Sequence, residues 1–295
     1  MIDLTDTEEI KKIFKKYNLA PNKFMGQNFL VDKAVLGKIV EAAEISKGDN
    51  VLEIGPGLGA LTGALLEAGA KVLAIEKDKK LAGVLRDLFG ANKNLKIINA
   101  DFLALDFEKL ISDFVLRSSA SKWEAELLSG YKVVSNLPYY ITSPVIKKIL
   151  SWENKPSRIV LLAQKEVAER ICEKPGQMSF ISVFVQFYAK PEIVEIVKPS
   201  SFWPKPKVDS AILKIIPREK TKISESEENE LWRLVKIGFS SRRKTLANNL
   251  SAGLRLPREK IEGILKLLGF NEKIRAQELG VEDWVRLLRK LDSGK

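Results

Sequence analysis

Seven short apolar runs are spaced along the first 216 residues, and most are separated by amphipathic stretches long enough to be helices. They cover residues 50–54, 71–75, 96–99, 132–135, 158–163, 193–197 and 210–216. Apolar runs of this length suit strands buried on both faces, and a helix between successive strands is the connection a parallel pair requires. The first five runs therefore predict a parallel sheet covered by helices. The last two are joined only by the Pro-rich stretch 199–207, which is too short for a parallel crossover, so they are expected to pair antiparallel. The expected fold is α/β, with a Rossmann-like, doubly wound seven-stranded sheet whose last strand is antiparallel.

Ahead of the first run, Lys23-Phe24-Met25-Gly26-Gln27-Asn28-Phe29-Leu30 leads into a helix expected over about residues 32–43, with Asp32 as its cap. Residues 116–130 lengthen the connection into the fourth strand, and their Ser-Ser-Ala-Ser run reads as a surface insertion. Residues 217–228 are polar and charged, as a linker would be. Beyond them, 230–239, 242–252, 258–268 and 281–291 carry helical periodicity, which predicts a small all-helical domain at the carboxyl end.

The residue inventory narrows the chemistry. There is no histidine and a single cysteine, Cys172, among 295 residues. That removes Ser-His-Asp and Cys-His catalysis, histidine-ligated metals, cysteine-clustered zinc and an internal disulfide. Cys172 sits in a helical stretch and is expected to be a buried structural thiol rather than a nucleophile. No run approaches the roughly 20 apolar residues that cross a bilayer, and the amino-terminal residues lack the basic and apolar regions of a signal peptide. No membrane association, no metal and a cytoplasmic location are expected. The net charge of +11 points to a polyanionic partner. Residues 217–295 are the more basic part per residue, with 18 Lys/Arg against 12 Asp/Glu.

Polar residues stand at the ends of four successive strands. Glu53-Ile54-Gly55-Pro56-Gly57-Leu58-Gly59-Ala60 follows the first and opens a helix, so its glycines permit a tight turn and close approach of a ligand. With Ala60 it also satisfies the dinucleotide pattern, so the glycines alone do not separate the cofactors. Glu76 ends the second strand, where a carboxylate accepts the two hydroxyls of a ribose, with Lys77 beside it. Asp101 ends the third, placed to accept from an adenine amine while Phe102 packs on the base. Nicotinamide binding has no use for an acid there, nor for an amide, proline and aromatic after the fourth strand. The set fits S-adenosylmethionine (AdoMet), and with it the sheet is expected to be that of a class I AdoMet-dependent methyltransferase.

Asn136-Leu137-Pro138-Tyr139 closes the fourth strand. The amine of adenine is a poor nucleophile because its lone pair is delocalised into the ring, so a site that methylates it must accept hydrogen bonds from the amine. Asn136 Oδ1 and the carbonyl of Leu137 or Pro138 are the candidate acceptors. Pro138 stiffens the turn, and Tyr139 offers a face for a base that has left its helix. Phe202 and Trp203, beside prolines, are candidates to close over that base or to pack in the core.

Taken in order, Gly26-Gln27-Asn28-Phe29-Leu30, residues 53–59, Glu76, Asp101, residues 136–139, Gln164-Lys165-Glu166-Val167-Ala168, residues 202–210 and Phe239-Ser240-Ser241-Arg242-Arg243-Lys244-Thr245-Leu246 resemble the rRNA adenine N6,N6-dimethyltransferase family, in its small-subunit branch. The resemblance covers nearly the whole chain. It implies that Asn28, Leu30, Gly55, Glu76, Asp101 and Asn136 contact AdoMet, with Gln27, Gly57, Lys77 and Phe102 beside them. It implies an AdoMet-binding catalytic domain over 1–216 and a linker with a helical RNA-binding domain over 217–295. The implied partner is 16S rRNA in the small ribosomal subunit or its precursor, dimethylated on two adjacent adenines of its 3′-terminal hairpin loop. A monomer is expected.

Lys205, Lys207, Arg242, Arg243 and Lys244 are the candidate phosphate contacts. Residues 174–180 depart from the family's longer loop, lacking its tyrosine and arginine, and Tyr140 stands where relatives often have Asn. Three competing readings are a large-subunit rRNA dimethyltransferase, a methyltransferase of protein glutamine, and a non-catalytic RNA-binding assembly factor. The longer helical tail favours the small-subunit branch over the large-subunit one. The glutamine enzymes typically carry a second proline where this chain has Leu137.

Overall fold

The computed structural model describes residues 2–21, 26–106, 130–218 and 223–292; the insertion expected at 116–130 lies outside these but for its last residue. The chain divides into two compact units, Met1–Ala168 with Pro191–Pro217, and Glu169–Lys190 with Arg218–Lys295.

In chain order the first unit contains α1 (Thr7–Lys16), β1 (Phe29–Leu30), α2 (Lys33–Ala42), β2 (Asn50–Ile54), α3 (Ala60–Glu67), β3 (Lys71–Glu76), α4 (Lys79–Phe89), β4 (Leu95–Asn99), β5 (Lys132–Asn136), α5 (Thr142–Leu150) and β6 (Arg158–Gln164). After α6 (Lys165–Cys172) and α7 (Phe180–Tyr188), the chain returns as β7 (Ala189–Val197), β8 (Phe202–Trp203) and β9 (Ser210–Pro217). The main sheet has the order β4-β3-β2-β5-β6-β9-β7. Strands β2 to β6 run parallel to one another, and β9 runs antiparallel to β6, with Leu161 opposite Leu213. The seven expected runs are these seven strands, and the two joined by the Pro-rich stretch lie side by side.

The apolar runs supply a core shielded on both faces. Val51, Leu52, Val133, Val134, Leu161 and Leu213 have no exposed surface. Each such side chain contributes about 1.5–3 kcal/mol of burial. Asp32 caps α2 as expected, accepting from the backbone N–H of Ala34 and Val35.

Strand β2 sits between β3 and β5, so the connections leaving it and leaving β5 go to opposite sides of the sheet. A crevice opens above the carboxyl ends of strands at such a reversal. Here Ser135 Oγ accepts from Ile54 N–H at 2.8 Å and bridges the two strand ends.

A second, two-strand ladder was not foreseen. It pairs Phe29 with Trp203 and Leu30 with Phe202, antiparallel. Val31 N–H donates to the Ser201 carbonyl at 2.9 Å, and Ser201 Oγ donates to Asp32 Oδ2 at 2.8 Å. Helix α1 was also not foreseen. Its Ile10, Ile13 and Phe14 pack with Phe29, Leu58 and Leu81.

The second unit is helical: α6 (mostly) and α7, then α8 (Glu225–Gly238), α9 (Leu246–Leu254), α10 (Arg258–Leu267) and α11 (Val281–Asp292). Residues 169–190 group with these helices, and the later change of unit falls between Pro217 and Arg218. Gly176 and Met178 donate backbone N–H to the Gln277 carbonyl at 3.0 Å, and Phe184 and Phe187 of α7 lie 5.0 and 5.1 Å from the Trp232 ring on α8. The expected linker is shorter than 217–228. Ser224 and Glu227 form a reciprocal capping box that starts α8 at Glu225. Helix α9 begins at Leu246 rather than at 242, with Thr245 as its cap. Cys172, expected to be buried, is only half-buried at the end of α6.

Candidate active site at the carboxyl edge of the sheet

The crevice over β2, β3 and β5 is a largely apolar cavity enclosing about 1200 Å³, counting the space at its open mouth. Glu53, Gly55, Gly57, Glu76, Lys77, Asp101, Phe102 and residues 136–139 all line it, as do Gln27, Asn28 and Leu30. The residues expected to contact the cofactor or hold the amine are thus brought to one place, although Gln27 and Asn28 are about 110 positions from Asn136.

The glycine turn is tight for identifiable reasons. Gly57 has φ of +62°, and a Cβ there would come within 3.2 Å of Phe29 Cε1. Gly59 has φ of +96° and caps α3; a Cβ would lie 2.6 Å from Leu85 Cδ1. Both positions require glycine on backbone and space alike.

Two carboxyl groups stand beneath that turn. Glu76 is 5% exposed and accepts from Gly57 N–H at 3.0 Å and Asp78 N–H at 2.8 Å. Burial pushes its pKa up, and the two N–H donors oppose that. Glu53 is 1% exposed and accepts from Thr62 Oγ1 at 2.6 Å. Burial, with the nearby Glu76 adding to it, pushes Glu53 up to about 8. At neutral pH Glu53 is mostly protonated, so the cavity floor does not carry two full charges.

Asp101 is the more exposed acid. Lys77 Nζ lies 2.8 Å from Asp101 Oδ2 and holds its carboxyl below the usual range, helped by Leu103 N–H donating at 3.0 Å. Phe102 is buried and meets Trp152 edge to face, with ring centroids 5.7 Å apart. The Lys148 ammonium lies 5.5 Å from the Phe102 ring centre and donates to the carbonyls of Leu103, at 2.8 Å, and Leu105. Lys148, on α5, was not singled out in the sequence, since a lysine on a helix face gives no sign that it ties down a loop.

At the end of β5, Asn136 Nδ2 donates to the Asn28 carbonyl at 3.2 Å, and Asn28 Nδ2 donates to the Gly26 carbonyl at 3.2 Å. The Pro138 carbonyl is engaged by Ile141 N–H at 3.1 Å, closing the 3-10 turn Tyr139–Ile141. Of the two carbonyls considered from sequence, the Leu137 one is therefore the available acceptor. The Tyr139 hydroxyl lies 2.7 Å from Ser210 Oγ, which fixes the ring.

Phe202 and Trp203 do not close over the crevice. Phe202 is 2% exposed in the sheet core, and Trp203 packs edge to face on Phe14 at 5.3 Å. As neighbours in the two-strand ladder they point to opposite faces, Phe202 into the sheet core and Trp203, half-buried, against α1. Leu4 and Ile10, from the amino-terminal segment, join the cavity wall. The Ile10/Ile13/Phe14 spacing behind the Asp6 cap is the signal that would have shown α1.

Lys205 and Lys207 are exposed and make no ion pair with a described residue, and the same holds for Arg242, Arg243 and Lys244. The last three precede the α9 cap, in a turn stapled by Asn249 Nδ2 donating to the carbonyls of Gly238 at 2.6 Å and Ser241 at 3.0 Å.

A seven-stranded sheet of this order, with a glycine turn after its first long strand and acids ending the next two, defines a class I AdoMet-dependent methyltransferase. Sequence comparison carries the assignment further. The chain belongs to the ribosomal RNA adenine dimethylase family, whose profile matches residues 18–293. It is 38% identical over 279 residues to a protein of Dehalococcoides mccartyi (strain CBDB1) named ribosomal RNA small subunit methyltransferase A, covering 95% of this chain and 91% of that one. Among solved structures, a dimethyladenosine transferase from Plasmodium falciparum superposes with a TM-score of 0.71 at 29% identity, covering 90% of this chain and 97% of that one. The 23S rRNA methyltransferase ErmE gives 0.68 at 28% identity, with 90% and 100% covered. The fold is thus shared with a 23S rRNA methyltransferase, and the family membership makes this chain an rRNA adenine dimethyltransferase.

Proposed function

We propose that this enzyme dimethylates the N6 amines of two adjacent adenines in the 3′-terminal hairpin loop of 16S rRNA, acting on the small ribosomal subunit or its precursor in the cytoplasm, as a monomer. The observation that carries the chemistry is the pair of acceptors at the end of β5, Asn136 Oδ1 and the Leu137 carbonyl, left available by the hydrogen bonds that engage Asn136 Nδ2 and the Pro138 carbonyl. The small-subunit substrate is supported by the name of the Dehalococcoides relative, which is similar over almost the full chain.

The cavity suits AdoMet. When bound, AdoMet supplies an electrophilic methyl group on a sulfonium. Glu76 would accept from its ribose hydroxyls, Asp101 from its adenine amine, and Phe102 would pack on that base. Gly55 and Gly57 would let the methionine part approach the backbone, with Gln27, Asn28, Leu30 and Lys77 completing the walls.

Asn136 and Leu137 would hold the target amine by its two protons, drawing the nitrogen lone pair out of conjugation and toward the methyl group. Tyr139, its ring fixed through Ser210, would stack on the extruded base. No side chain needs to act as a strong base, because the nitrogen becomes acidic once methylation has made it cationic. Binding and orientation supply the acceleration. Lys205, Lys207, Arg242, Arg243 and Lys244 would contact phosphates.

The test is incubation with labelled AdoMet and small subunits lacking the modification, followed by mapping of the label. Dimethyladenosine at two adjacent positions of the 16S rRNA hairpin is expected. Label confined to the large subunit, or to protein, would overturn the assignment.

A further inference from the structure

Tyr140 is the one aromatic side chain among the exposed large hydrophobic residues that are described, 58% exposed, and it stands at the rim of the methyl-transfer cavity. Its neighbour explains why that is unusual. Tyr139 is half-buried with its hydroxyl bound to Ser210, whereas the Tyr140 hydroxyl bonds to no described residue. The ring is nevertheless placed rather than adrift. It belongs to the 3-10 turn Tyr139–Ile141, and Gly26 brings bare backbone against it: a Cβ at Gly26 would lie 3.7 Å from Tyr140 Cδ1 and 3.7 Å from Pro138 Cβ. One edge of the ring is therefore backed by protein, and the rest faces solvent at the rim of the cavity.

Resting on the two-adenine reading above, we propose that Tyr140 is a positioning residue on which the adenine adjacent to the one in the cavity stacks. Extruding one base from a run of two leaves its neighbour without a stacking partner on that side. An exposed ring next in sequence to Tyr139 meets that need, since an aromatic side chain accepts the face of any base. The same ring would serve both methylation sites in turn, because each adenine is the neighbour of the other. Tyr140 would then act through RNA register and affinity and take no part in cofactor binding.

The experiment uses small subunits reconstituted with 16S rRNA in which 2-aminopurine replaces one of the two hairpin adenines. That base has no amine at position 6, so the remaining adenine is the one methylated, and the fluorescent base is its neighbour. With the unsubstituted enzyme, binding is expected to quench the fluorescence, as stacking on an aromatic ring does. Tyr140→Ala should lose the quench and raise the KM for subunits about tenfold, the cost of removing a base–aromatic stack. Tyr140→Phe should retain both, and AdoMet affinity should be unchanged in all three proteins. Equal quenching by Tyr140→Ala would overturn the inference, as would an AdoMet affinity that falls in step with the KM change. If the unsubstituted enzyme leaves unmodified subunits unmethylated, it is the functional reading that fails, and the inference with it.

Discussion

The side-chain amide nitrogen of Asn136 lies 3.2 Å from the main-chain carbonyl oxygen of Asn28, across 108 residues of sequence. A carbonyl can only accept, so this contact settles which end of the Asn136 amide is nitrogen and turns Oδ1 the other way. Asn28 is itself tied to the Gly26 carbonyl and lies next to the two-strand ladder. The acceptor proposed for the target amine is thus aimed by a segment that precedes the sheet.

Asn136→Asp should separate aim from capacity to accept. The aspartate keeps an acceptor oxygen but places a carboxylate oxygen where Nδ2 donated, against the Asn28 carbonyl. Methyl transfer is expected to fall at least tenfold, as losing one oriented hydrogen bond implies, with AdoMet affinity within a few-fold of normal. Single-turnover rates and calorimetry check this together.

Glu76→Gln should weaken AdoMet by about 1.5–3 kcal/mol, through replacing a charged acceptor for the ribose hydroxyls by a neutral one. Gly57 N–H and Asp78 N–H donate to different oxygens of Glu76, so the amide keeps one of these bonds and sets its NH2 against the other donor, and the melting temperature should fall as well. Unchanged affinity by calorimetry would place the ribose elsewhere.

The buried Glu53 should leave a mark on the pH dependence of stability. Its carboxyl is raised to about 8 in the folded protein against 4.5 when exposed. Between those values the native state holds a proton that the unfolded state has released, so stability falls as pH rises from about 4.5 to 8. The slope contributed is at most about 1.4 kcal/mol per pH unit. Glu53→Gln removes the titration and should flatten the curve over that window, read as denaturant midpoints at a series of pH values.

Replacing Arg242, Arg243 and Lys244 together by Ala should weaken binding to small subunits and flatten its salt dependence, by roughly 0.7–0.9 in the slope of log K against log salt for each phosphate no longer neutralised. The three side chains are exposed and lie before the α9 cap, so the helical unit should still fold. AdoMet affinity should not move. An unchanged salt slope would assign the RNA contacts to the first unit.

What the sequence made legible follows from the range of the interactions involved. Buried strands and their terminal acids are local patterns, so β2 to β6, the glycine turn, Glu76 and Asp101 could be read directly. The ladder of Phe29 and Leu30 with Trp203 and Phe202 could not, because two-residue strands have no periodicity. For the same reason Phe202 and Trp203 were open to a role over the base that their packing rules out. Residues 169–190 belong with the helical unit through contacts to residues more than 40 positions away, which no local pattern records. The choice between the carbonyls of Leu137 and Pro138 depended on one 3-10 hydrogen bond, from Ile141.

Whether Asn136 presents the acceptor that makes an rRNA adenine amine reactive is read from methyl incorporation by Asn136→Ala. Unmodified small subunits and labelled AdoMet are supplied in excess, and dimethyladenosine is quantified by nucleoside mass spectrometry. Loss of an oriented acceptor in the transition state should lower the rate at saturating AdoMet about 100-fold or more, with circular dichroism and subunit affinity close to those of the unsubstituted enzyme. Near-normal dimethyladenosine formation by Asn136→Ala would contradict the account.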